Sequence, residues 1–340
     1  MEDHTQSSPG SAMDSVNSLY SIGERETQNG QKVSPEYDIW GNKLDQSLEF
    51  FQLPDQIGKI IGAFSDLPIG AQPFSNKEKI IRFFLWVMAG LGIWGVIFFI
   101  GSPTVFWSVV WFVIALVLAI LLAMGSIHFE HINLFIGVSG FAKYVCKEGR
   151  ENITEAKEVK FEDLTDVFFA QVEKRSNYTY QSTDYYFSFY DTRVNKLRFQ
   201  SAGTFDKKSK IEGQPIELNF CRKIEQYWTM YLLDKMPDEI RKHGYVSFNI
   251  NAGDNRFSPF IKIGPGFITF LKGGDEEIRY NSDEIKRIYS KGSDLYIEHK
   301  NFQRTLFFFK SGDADKIPMF NLSNRQFFYR ALELNLGYEL

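Results

Sequence analysis

The sequence predicts an α+β, mostly β chain: a two-helix transmembrane hairpin followed by two tandem antiparallel β modules, each closed by a C-terminal helix. Three observations predict it. Two apolar runs, Ile80 to Ile100 and Val105 to Met124, are separated only by Gly101-Ser102-Pro103-Thr104. Short segments rich in aromatic and β-branched residues fill most of the chain that follows. The order of those segments, ending each time in an amphipathic helix, occurs twice.

Residues 1–76 carry 4 basic and 11 acidic residues, against 34 and 31 in the remainder. The first 40 are rich in Ser, Gly, Gln and acids and have too little apolar surface to offset the entropy of ordering, so a largely flexible tail is expected. Within this region Leu53, Ile57, Ile60, Ile61 and Phe64 recur at i, i+4, i+7, i+8 and i+11, with Pro54 suited to a first helical turn. That spacing predicts a short amphipathic helix near 53–64. It could lie in the membrane interface or dock on a neighbouring subunit, which makes those five residues candidates for partner binding, or pack on the chain's own soluble part.

The hairpin occupies 77–125. At 1.5 Å of rise per residue each run spans roughly 30 Å, the thickness of a bilayer core. The uncharged connection holds no domain, so both flanks lie on one side. Lys77, Lys79 and Arg82 mark that side as cytoplasmic. Arg82, one turn inside the span, can snorkel to headgroups and is a candidate lipid-binding residue. Ala115, Ala119 and Ala123 on the second run, answered by Gly90, Gly92 and Gly95 on the first, allow close helix contact. The first 70 residues are polar, so no cleavable signal is expected, and the first span serves as the insertion signal.

The first module, 126–236, contains Leu134-Phe135-Ile136-Gly137-Val138-Ser139-Gly140-Phe141, then Glu158-Val159-Lys160-Phe161, then aromatic strands around 184–190 and 196–199. Its helix, within 219–235, has Ile224, Tyr227, Trp228, Tyr231 and Leu232 on one face. The second module, 245–340, repeats the order with Ile261-Lys262-Ile263-Gly264-Pro265-Gly266-Phe267, Glu277-Ile278-Arg279-Tyr280, strands at 294–298 and 304–310, and a last helix. Ser323 and Gln326 have the spacing of a capping box at its start, and Gly337 suits its end.

Antiparallel strands closed by one C-terminal helix, with these Gly-bounded hairpins, resemble the pleckstrin-homology-like superfamily over roughly residues 130–340. More loosely, the chain is similar to bacterial membrane-anchored proteins that carry such domains behind transmembrane segments. The resemblance implies two barrels, each plugged at an open end by its helix. A lipocalin-like or other small barrel with appended helices would produce a similar string. In membrane-recruiting members, basic residues around the first hairpin bind phosphorylated lipid heads. Here Lys262 and Lys272 flank that hairpin in the second module, and Lys207, Lys208 and Lys210 form a small basic loop in the first, making the latter three candidate lipid-binding residues.

No catalytic set stands out. Gly264-Pro265-Gly266 lacks the Lys-Ser/Thr of a phosphate-cradling loop. His128 and His131 lie three apart without a cysteine nearby, so no metal or other cofactor is expected. The only cysteines, Cys146 and Cys221, have no metal spacing and suit buried positions. An enzyme would have to assemble dispersed residues such as Asp184, Tyr186, His299 and Arg304. The near-neutral folded part argues against nucleic-acid binding. The aromatic series from Tyr178 to Tyr190 must turn some rings outward, and Tyr178 and Tyr180 are further partner-binding candidates.

The expectation is a protein of the bacterial inner membrane, multi-pass with both termini cytoplasmic. It would act as a non-enzymatic scaffold or accessory subunit that meets a membrane-protein partner or forms a homo-oligomer; the alternative is a sensor of anionic lipid or a small ligand at the membrane surface.

Overall fold

The computed structural model describes residues 35–101, 104–126, 128–207, 213–251, 257–272, 276–292, 294–300, 315–319 and 321–338. It is a mixed α+β fold, with two long apolar helices and several antiparallel sheets.

The helices are α1 (Asn76–Gly101) and α2 (Val105–Ser126). Within them Asn76–Phe99 and Phe106–Gly125 are long and apolar enough to cross a membrane, with mean hydropathy 2.0 and 2.7. Phe84, Leu85, Met88, Phe99, Trp107 and Leu121 lie exposed, as side chains facing lipid would. The helices meet through small residues: a Cβ on Gly90 would come within 2.7 Å of the Ala119 Cβ, whereas Gly92 and Gly95 face open space. Trp94 Nε1 donates to the Ser108 carbonyl at 3.0 Å, satisfying an indole that lipid could not.

A strand from before the hairpin pairs with one from after it. β1 (Ile60–Ser65) runs antiparallel to β2 (Glu130–Gly137), with Ala63 opposite Phe135 and Ser65 opposite Asn133. β3 (Gly140–Lys147) and β4 (Ile153–Lys160) complete a four-stranded sheet in the order β1-β2-β3-β4. The two apolar helices are thus inserted between the first two strands of this sheet.

This replaces the helix expected near 53–64. Gly58 has φ +72°, outside the helical region, and at Gly62 an added Cβ would come within 3.2 Å of the Asp38 carbonyl oxygen, so the missing side chain lets the strand lie close to that backbone. Ile61 and Phe64 face one core and Ile60 and Ala63 another. A strand buried on both faces has no polar positions to reveal its period of two, and its apolar run mimics a helical stripe. Residues 35–75 are likewise no flexible tail. Leu44, Phe50, Phe51 and Leu53 cover the outer face of the first sheet, where the Glu158 carboxylate accepts the backbone N–H groups of Asp55 (3.3 Å) and Gln56 (3.1 Å). Residues 1–34, the rest of the expected tail, lie outside the described residues.

A turn at Phe161–Asp163 ends the first ladder, and β5 (Asp166–Ser176), β6 (Thr179–Asp191) and β7 (Lys196–Phe205) form a separate three-stranded sheet. After α3 (Ile216–His243) the order returns. β8 (Val246–Asn251), β9 (Phe257–Gly264), β10 (Phe267–Lys272) and β11 (Glu276–Asn281) make four strands. β12 (Ile285–Lys291), β13 (Asp294–His299) and β14 (Asp315–Pro318) make three, and α4 (Arg325–Leu336) follows. The expected strand at 304–310 lies outside the described residues. Among the described residues no sheet closes on itself, so each module is a pair of open sheets with a helix rather than a closed barrel.

The modules differ on the outer face of the four-stranded sheet. In the first, Ala63, Phe135 and Ala142 lie under the N-terminal segment. In the second, Ser247, Lys262, Thr269 and Arg279 occupy one cross-strand row, a polar row in which Thr269 is buried and Ser247 and Arg279 lie exposed.

α3 serves both modules. Leu218, Phe220, Cys221, Ile224 and Trp228 enter the first core; Met236, Leu233 and Ile240 meet the second. Gly244, at φ +81°, ends it with its N–H on the Ile240 carbonyl, as a left-handed cap does. Both cysteines are buried, and burial pushes the Cys221 thiol up to about 12.

Candidate interaction surfaces

Three features of the soluble part are built with more polar detail than packing requires: the root of the hairpin, the tip of the β5–β6 ribbon, and the joint between modules.

At the root, Ser75 and Glu78 start α1 as a reciprocal cap. The Ser75 N–H donates to the Glu78 carboxylate at 2.8 Å, and the Glu78 N–H donates to the Ser75 hydroxyl at 3.3 Å. On the soluble side Asp66 accepts the Ile132 N–H at 2.8 Å and lies 3.3 Å from His131. Arg150 pairs with Glu49 and donates to the Ala71 carbonyl at 2.8 Å, and Lys147 pairs with Glu130 at 3.1 Å. His128 also bonds Glu130, at 2.7 Å. The histidines that share a sequence spacing therefore go to different carboxylates. These bonds tie the chain entering α1 and the chain leaving α2 to the turn between β3 and β4.

Arg82 lies exposed on α1 with its guanidinium carbon 4.0 Å above the Phe74 ring.

The β5–β6 ribbon ends in a two-residue turn between Ser176 and Thr179. Asn177 and Tyr178 have φ of 47° and 63°. This is the left-handed pair of a type I′ turn, for which Asn-Gly is the favoured sequence. Tyr178 takes the place of the glycine and is 98% exposed. A strained aromatic at the apex contributes nothing to the core, so Tyr178→Gly is expected to raise stability by about 1 kcal/mol, read from the denaturant midpoint; a fall would mean that the ring packs on its own chain.

The other predicted residues divide. Tyr180 is committed within the chain, its hydroxyl 3.0 Å from that of Thr183 and accepting the Lys207 N–H at 2.9 Å. Lys207 pairs with Glu173, and together with Arg175 it holds the Glu173 carboxyl down at about 2. Lys208 and Lys210 lie outside the described residues. Lys262 pairs with Glu277 at 3.0 Å, and Lys272 ends β10. Of the expected interfacial stripe, Ile57 is buried and Leu53, Ile60, Ile61 and Phe64 are half-buried against the chain's own cores. Tyr186 reaches Asp184 at 3.4 Å, while His299 stacks on Tyr280 in the other module and Arg304 is outside the described residues.

The joint is the feature that sequence reasoning missed. Asn324, before α4, accepts with Oδ1 from the Val167 N–H (2.9 Å) and the Trp228 indole (2.8 Å), and donates from Nδ2 to the Thr165 carbonyl (2.9 Å). Asn249 of β8 donates to both oxygens of buried Asp166, at 3.0 and 2.9 Å. The Ser323 hydroxyl accepts the Asn249 N–H at 3.1 Å, and Gln326 donates to Glu225 of α3 at 3.0 Å. Ser323 and Gln326, spaced as a capping box, thus bond across the structure instead. Asn324 holds a left-handed backbone there (φ 51°), which Asn tolerates and which has no signature in the local sequence.

Among the described residues no group of three or more His, Cys, Asp or Glu side chains is placed to hold a metal ion. Compared with known proteins, the chain matches no protein-family model and no curated protein.

Proposed function

We propose that this chain is a membrane-anchored, non-enzymatic scaffold or accessory subunit that presents two tandem pleckstrin-homology-like modules to a membrane-protein partner. The observation that carries the reading is the insertion of the hairpin between β1 and β2. Backbone pairing across the insertion couples the first module to the membrane spans, and α3 with the Asn324 joint couples the second module to the first. A simple anchor needs only a flexible linker; a coupled pair of modules can hold a partner surface at a set distance from the bilayer. The exposed Tyr178 is the residue offered to that partner.

Four strands, three strands and a helix, in that order twice, support the superfamily resemblance. Strand pairing between the two flanks of the hairpin supports a topology with both termini on one side, and the basic residues at its root make that side cytoplasmic, in a bacterial inner membrane.

Affinity purification of the intact protein from its own membranes in mild detergent, followed by mass and composition of the complex, tests the reading. A stoichiometric membrane-protein partner, weakened by Tyr178→Ala, is the expected result. A lone monomer carrying only lipid would overturn it and favour the sensor of anionic lipid, a reading supported by the exposed cation at Arg82.

A further inference from the structure

We propose that the root of α1 binds one phospholipid with an anionic headgroup, the phosphate on Arg82 and an acyl chain along Ile81, Leu85 and Trp86. The proposal rests on the reading of α1 and α2 as membrane spans.

Depth is the first argument. The 24 residues of Asn76–Phe99 are about 36 Å long against a hydrocarbon core of about 30 Å, so the inner boundary falls near the first turn and the Arg82 backbone lies below it. A cation there must reach back to the interface. It does so, because helical side chains tilt toward the N-terminus and the guanidinium rests over Phe74, two residues before α1 begins.

Charge is the second. The acid one turn earlier, Glu78, attracts Arg82 electrostatically, but its Oε2 accepts from the Ser75 N–H and hydroxyl, both at 2.8 Å, and not from the guanidinium. The guanidinium rests over the Phe74 ring without a hydrogen bond to the Glu78 carboxylate, at the level this reading gives the headgroups. Lys77 and Lys79 add positive potential beside it, which favours a headgroup of net negative charge over a zwitterionic one.

Shape is the third. Glu78, Ile81, Arg82, Leu85 and Trp86 line one open groove on the helix, with the cation above an apolar floor. Ile81 is 49% and Leu85 65% exposed, so the floor is open to an acyl chain. Ionic above and apolar below is the profile of a phospholipid lying along a span.

The test uses the full chain in detergent, with phosphatidylglycerol and phosphatidylcholine offered together and bound lipid counted by native mass spectrometry. Alkaline extraction of membranes carrying the wild-type chain and Arg82→Gln comes first; release at high pH would overturn the spanning reading and the site with it. With both chains retained in the membrane, the wild type is expected to prefer phosphatidylglycerol by about fivefold, the factor set by one basic residue near anionic lipid. Arg82→Gln should lose that preference and Arg82→Lys retain part of it. Equal uptake of the two lipids by the wild type, or an undiminished preference in Arg82→Gln, would overturn the site while leaving the spans intact.

Discussion

Asn324→Ala is expected to destabilise the folded part by about 4 kcal/mol. The amide meets three groups at once, and two of them are donors with nowhere else to turn: the indole of Trp228, itself 1% exposed, and the Val167 N–H at the head of β5. Each buried donor left without an acceptor costs roughly 1–3 kcal/mol. Alanine must also hold the left-handed backbone at φ 51°, which Asn tolerates and Ala does not, for about 1 kcal/mol more. At roughly 2–4 °C per kcal/mol for a folded part of this size, the thermal midpoint should fall by about 10 °C. Asn324→Gly separates the causes: it keeps the backbone and loses the amide, so its loss should be about 1 kcal/mol smaller. If Ala and Gly variants both melt within about 1 kcal/mol of the wild type, water has replaced the amide and the joint does not depend on it.

Glu225→Gln is expected to change the pH dependence of stability, and to stabilise. Glu225 lies in α3 with 4% of its surface exposed, bonded to Gln326 across the joint. Burial pushes its carboxyl up to about 7, against the pull of Arg325, Gln326 and Arg222. Between the ordinary carboxylate value near 4.5 and about 7, the folded protein holds a proton that the unfolded chain has released. Raising pH through that window therefore costs stability, in total on the order of 3 kcal/mol, with no further loss from this group above it. Gln cannot ionise. Denaturant midpoints at pH 4.5 should match for the two proteins, and at pH 8 the variant should be the more stable. A wild-type profile that stays flat across the window, or a variant that is weaker at pH 8, would mean that the carboxylate is accommodated as an anion by the two arginines.

Both predictions concern residues that the sequence offered no reason to select. Glu225 reads as one acid on a helix face, and Ser323-Asn324-Arg325-Gln326 reads as an ordinary helix start. The structure turns Ser323 toward Asn249, Asn324 toward Trp228 and Gln326 toward Glu225. The N-terminal cap with reciprocal bonds is instead at Ser75 and Glu78, where α1 begins.

By itself the sequence determined what depends on near neighbours. Two uninterrupted apolar runs, the 3.6-residue period within α3 and the glycine that ends α4 at Gly337 are properties of a few consecutive residues, and the repeated order of strands adds up such local patterns; that α3 runs on from the expected 219–235 to His243 was not legible. Tertiary structure decided what depends on the residue across the sheet. It made 60–65 a strand by burying both of its faces, placed the two long apolar helices between the paired strands β1 and β2, and separated the two sheets of the first module at the Phe161–Asp163 turn. It also separated Tyr178 from Tyr180, alike in the sequence, into one exposed ring and one bonded one. The physical reason is common to all of these: periodicity records that a residue is apolar or polar, while pairing and burial depend on distant segments whose approach no local pattern encodes.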